Sequence, residues 1–152
     1  MVCPMKLTSV QRAPLWSGTA LQGLLGIGSP GERIGEDLVL AVHSAADTGE
    51  PDCRVENGMF AGMRLRDVPG VPDPFPLLIK LIDAGEDLSL QVHPSDPGTE
   101  GGEKTEMWLI LHAEPGARLL YGLRPEVSCA DFCRSVRAGC FDMSLCRSVP
   151  VR

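Results

Sequence analysis

The chain has 152 residues, 43% of them hydrophobic, which is the size of one domain with enough apolar material for a core and argues against a disordered chain. Its formal net charge of −6 comes from 20 acidic and 14 basic residues scattered along the sequence, so no basic patch offers a footprint for nucleic acid. The amino terminus, Met1-Val2-Cys3-Pro4-Met5-Lys6, lacks the basic-then-apolar order of a secretory signal, and no aliphatic run approaches the roughly 20 residues of a membrane span; the expectation is a cytoplasmic protein with no membrane partner.

In chain order, residues 18–25 read as a helix, and Gly26-Ile27-Gly28-Ser29-Pro30-Gly31 follows it. Those six residues match the dinucleotide fingerprint in letters only. A nucleotide site needs a strand before the glycines and a helix opening within them, whereas a helical stretch precedes them here and Pro30 lies inside, so they read as a surface loop. Residues 38–42 form a plausible strand after the turn at Gly35. Next come a buried strand at 76–82, another at 88–92, a fourth at 105–111 and a fifth at 118–121, with turns at Pro72, Pro74, 96–102 and 114–116. Residues 129–137 read as a second helix behind Ser128 as N-cap. The 17 glycines and 13 prolines punctuate short β-type stretches rather than long amphipathic helices, so the fold class is mainly β.

Six cysteines without an export signal are expected to be free thiols. Cys129, Cys133, Cys140 and Cys146 lie close in sequence but lack the paired short spacing of a zinc knuckle, and Cys129 and Cys133 would fall one turn apart on one helix face. His43 and His112 read as surface or hydrogen-bonded histidines.

The chemistry concentrates between residues 88 and 108. In an extended Ser89-Leu90-Gln91-Val92-His93, alternate residues face the same way, so Ser89, Gln91 and His93 share a face; by the same rule Lys104, Glu106 and Trp108 share one in the next strand. If both faces look into one pocket, an amide oxygen, an imidazole and a carboxylate converge beside an ammonium group. A divalent cation relieves the cost of burying such a cluster, and three protein ligands leave a position for substrate. The plainer reading is a hydrogen-bonded strand histidine with Glu106 paired to Lys104 at a sheet surface.

The segment 75–84, Phe-Pro-Leu-Leu-Ile-Lys-Leu-Ile-Asp-Ala, followed by 87–94, Asp-Leu-Ser-Leu-Gln-Val-His-Pro, resembles the signature of type I mannose-6-phosphate isomerases. Lys104-Thr105-Glu106-Met107-Trp108, Pro115-Gly116-Ala117 and Tyr121-Gly122-Leu123 resemble later blocks of the short bacterial form, and Trp16, Ile34-Gly35-Glu36, Asn57-Gly58 and Ala61-Gly62 its opening region. The resemblance implies a cupin-type jelly-roll β-sandwich holding one divalent metal, zinc, and the interconversion of mannose 6-phosphate and fructose 6-phosphate. It implies Gln91, His93 and Glu106 as metal ligands, Lys104 as the catalytic group, and Ser89, Lys104, Trp16 and Glu36 as contacts to a small-molecule sugar phosphate.

The same comparison makes residues 1–152 a single partial cupin domain, with a β-rich portion at 1–125 carrying the metal site and a mostly helical 126–152 leading toward a missing strand. Family members continue into a strand pair bearing another ligand histidine and later reach an arginine, neither of which is present, and Leu38 stands where they often have tryptophan. Weak turnover by the chain alone is the expectation. The alternative is a non-catalytic cupin module that binds metal or sugar phosphate and works through a partner.

Overall fold

Short β segments in this chain pair antiparallel throughout. The structure, a computed structural model, describes residues 4–43, 52–73, 75–91 and 105–151. It falls into two compact units, Met1–Ser89 and Leu90–Arg152. Among the described residues no helix is long and apolar enough to cross a membrane.

In the first unit, β1 (Leu7–Thr8) pairs with β4 (Arg54–Val55), while β2 (Val10–Arg12), β3 (Glu36–Leu40) and β5 (Ile79–Ile82) form a three-stranded sheet in the order β2-β3-β5. Val10 lies opposite Leu38, Arg12 opposite Glu36 and Glu36 opposite Ile82, with a register shift between Leu38 and Leu40. That register turns Leu38 inward, where it packs with Ala41 and Cys53 against Leu7 and Val10. A second cluster, Val55, Leu65 and Val68, sits beneath single turns of 3-10 helix at Gly58–Phe60 and Leu65–Asp67. Leu7 touches both clusters, so the two short sheets share one apolar interior.

Helix α1 (Ala20–Leu25) has no side-chain cap from Thr19. Its first N–H groups are held instead by Asp83, whose Oδ2 accepts from Ala20 at 2.5 Å and from Leu21 at 3.2 Å. Gly18 fits beneath that carboxylate because it has no Cβ to overlap it. Gly26 closes the helix in the left-handed region at φ +67°, which is why the glycine-rich run begins as a helix stop and continues as a loop.

The second unit pairs β6 (Arg118–Leu123) with β7 (Cys146–Pro150), placing α2 (Cys129–Arg137) between them in sequence. Ser128 and Asp131 form a reciprocal capping box at 3.1 Å in each direction. Arg118 donates to the Ser148 hydroxyl at 2.6 Å and carbonyl at 2.9 Å, and Phe132 meets Phe141 edge-on at 5.7 Å. No residue of α2 is fully buried.

The mainly β expectation is borne out, with α2 at the expected bounds and the strands at 38–42, 76–82 and 118–121 observed at 36–40, 79–82 and 118–123. Two expected strands are corrected. Residues 88–91 and 105–111 carry no strand, Val92 lying outside the described residues. A strand needs a neighbour for its N–H and C=O groups and burial to offset its ordering, and neither segment pairs with a described strand. Met107, Leu109 and Leu111 are 91%, 77% and 71% exposed.

Candidate functional site

The β2-β3-β5 register builds a charged cluster on one sheet face. Arg12 and Glu36 are cross-strand partners, and Lys80 stands diagonally from Glu36 across β5. Lys80 Nζ donates to Glu36 Oε1 at 2.5 Å, and Arg12 lies 4.0 Å from Glu36 Oε2. The Glu36 side chain keeps only 14% of its exposure, so its charge is held mainly by these two cations rather than by water. Trp16 lies at the same end of the sheet. Its ring closes over Gly35, where a Cβ would stand 2.7 Å from Cζ3, and its carbonyl accepts from the N–H groups of Gly85 and Glu86 at 2.9 and 3.2 Å. Trp16 thus packs on the residue next to Glu36, the other position expected from sequence to contact the sugar phosphate.

Arg12 and Lys80 were not singled out from sequence. The signal for Lys80 was present as one cation inside the apolar run 76–82, a position that demands a partner. Arg12 offered none, because a three-residue strand shows no usable period.

A second cluster packs behind the first unit's loops. The Asp52 carboxylate pairs through Oδ2 with Arg66 and accepts the His43 backbone N–H at 2.8 Å through Oδ1. Burial pushes this carboxyl up, but the Arg66 hydrogen bond, the His43 N–H and the Arg66 charge outweigh it and hold it below its usual range. Its enclosure marks it as structural.

Of the seven residues expected around the metal and sugar phosphate, five fall between positions 89 and 106, and of these His93 and Lys104 lie outside the described residues. Ser89, Gln91 and Glu106 are all exposed, and none lies in a strand. The alternation rule therefore does not place them, and among the described residues no three His, Cys, Asp or Glu side chains gather as a metal site. An amide oxygen, an imidazole and a carboxylate still form a donor set suited to zinc or manganese.

Comparison with known proteins finds several similar isomerases. A probable mannose-6-phosphate isomerase of Bacillus subtilis (strain 168) is 38% identical over 136 residues, covering 80% of this chain and 42% of the relative. The mannose-6-phosphate isomerase of Streptococcus mutans is 31% identical over a 165-residue alignment that covers 100% of this chain and 50% of the relative. The chain is similar to mannose-6-phosphate isomerases over part of their length. It spans about half the length of the curated relatives it matches. The S. mutans isomerase aligns with both units, hence with the Trp16–Glu36 sheet end and with the segment carrying Gln91, His93, Lys104 and Glu106. No family model matches the chain, and no solved structure does.

Proposed function

We propose that this chain contributes to a metal-dependent mannose-6-phosphate isomerase site, in which Gln91, His93 and Glu106 would hold a divalent cation, zinc by donor chemistry. The observation that carries this is the likeness to curated isomerases at 31–38% identity, reaching across the whole chain in one of them. A bound cation supplies Lewis acidity toward the sugar carbonyl. Aldose–ketose exchange moves a proton between C1 and C2, and the negative charge that develops on the enediol oxygens calls for a fixed positive group. The Lys104 ammonium serves that role, while the Ser89 hydroxyl donates to the sugar phosphate. Trp16 and Glu36 are carried over from the family as sugar-phosphate contacts, and Glu36 is already neutralised by Lys80 and Arg12. The described cysteines are all free thiols, which suits a reducing compartment, the cytoplasm.

Metal content tests the reading. The purified chain, loaded with zinc and dialysed, is expected to lose one equivalent in His93→Ala and in Glu106→Ala, and mannose 6-phosphate turnover is expected to fall with it. Unchanged zinc stoichiometry in both variants removes the site. The non-catalytic reading is favoured by the exposure of Met107, Leu109 and Leu111, which leaves the candidate segment uncovered. It is distinguished by sugar-phosphate binding without turnover in the metal-loaded chain.

A further inference from the structure

The N-terminal end of α2 presents two thiols side by side. Cys129 and Cys133 lie one turn apart, their sulfurs 4.0 Å from each other, with Cys129 exposed and Cys133 partly so. The capping box formed by Ser128 and Asp131 fixes that turn, so the pair is held in place before any ligand arrives.

The spacing selects among the reactions open to two thiols. A disulfide needs the Cβ atoms within about 3.8 Å, whereas positions four apart on a helix hold theirs roughly 5–6 Å apart. Oxidation would therefore have to unwind the capped turn. Two sulfurs bound at about 2.3 Å to one tetrahedral cation stand roughly 3.8 Å apart, close to the separation present before binding. The neighbouring carboxylate does not compete for the ion: Asp131 accepts from the Ser128 N–H and hydroxyl and from Arg134. Cys129 is the first residue of the helix and Cys133 the fifth. Cys53 offers a contrast. It is buried and bonded to Ala41 N–H and Leu38 C=O, and burial pushes its thiol up.

We infer that Cys129 and Cys133 form a two-thiolate chelate for a thiophilic divalent cation, zinc or cadmium, separate from the isomerase ligands. Binding replaces two S–H protons with two S–metal bonds and releases both protons to solvent, with no change in oxidation state. Solvent water fills the remaining coordination positions, since no third His, Cys, Asp or Glu among the described residues completes the set.

The test is a cadmium titration of the full-length His93→Ala chain under a thiol-free reductant, read by sulfur-to-cadmium charge-transfer absorption. Oxygen and nitrogen ligands do not give this signal, so its result is independent of the isomerase site. One equivalent is expected to bind, and Cys129→Ser or Cys133→Ser each to weaken binding by roughly a hundredfold as the chelate is lost. Cys140→Ser is expected to titrate as the parent. Equal affinity in all variants, or an equal loss in Cys140→Ser, overturns the proposal. Alkylation of the unsubstituted chain gives a second readout that needs no variant. Zinc should shield Cys129 and Cys133 selectively, and uniform labelling rates with and without zinc overturn the site.

Discussion

Asp52 illustrates how one buried charge is made tolerable. Its side chain has no exposure, and it pairs with Arg66, itself 16% exposed, and with the His43 backbone N–H. Because its folded pKa is depressed, the pair stabilises the fold above the ordinary carboxylate range, and that contribution is lost as pH falls through the depressed value. Arg66→Met leaves the carboxylate enclosed without its cation. Chemical denaturation at neutral pH is expected to show a loss of about 3 kcal/mol. The pH dependence should also reverse sign, since a carboxyl raised by unpaired burial is least costly when protonated; the gap between variant and parent should therefore narrow as pH falls toward 3. A parallel pH profile for the two proteins would show that Asp52 is not enclosed as described. Neither Asp52 nor Arg66 was legible as a pair, because they meet across a separation of 14 residues with no periodic element between them.

At the scale of elements, what could be read depended on whether the cause was local. Helix α2 carries its start signal in four consecutive residues, Ser128 to Asp131, and its bounds were readable for that reason. Ser128→Ala is expected to cost the second unit about 1 kcal/mol and to shorten α2 by its first turn, measured as lost helical circular dichroism and faster amide exchange at residues 129–132. If helicity is unchanged, Asp131 alone holds the turn. Helix α1 is the opposite case: its cap comes from Asp83, 62 or 63 positions away, and no local pattern announces it. The strands β1, β2 and β4 span two or three residues each and exist because a partner in a distant segment completes their hydrogen bonds. Conversely, 105–111 has strand-like composition, but composition supplies no partner.

The same reasoning governs the candidate site. Residue identities around Gln91, His93, Lys104 and Glu106 carried the family resemblance, and the curated relatives bear that resemblance out. The arrangement of those side chains was inferred from strand alternation, which rests on pairing that residues 88–91 and 105–111 do not show. Motif chemistry was therefore legible where long-range geometry was not. Trp16 and Glu36 followed another route, since the Trp16 ring packs on Gly35, the residue before Glu36, and a side chain at that position would prevent this.

For the molecule as a whole, the uneven distribution of burial has a measurable consequence. Among the described residues, the first unit holds nearly all of the fully buried apolar side chains, whereas in the second only Cys146 reaches that level. Met107, Leu109 and Leu111 expose apolar side chains within five residues, and such a patch binds apolar dyes and promotes self-association. The chain is expected to enhance the fluorescence of an anilinonaphthalene dye at neutral pH without denaturant. Leu109→Lys with Leu111→Glu should remove most of that signal and raise the concentration at which the protein stays monodisperse in light scattering. Neither substitution touches the described core, so thermal unfolding of the first unit should not move. Dye binding that persists in the double variant would relocate the sticky surface to Leu15, 95% exposed, or Met59, 88% exposed, both in the first unit. The same measurement repeated with Leu15→Lys and Met59→Lys would then identify which of the two units governs solubility.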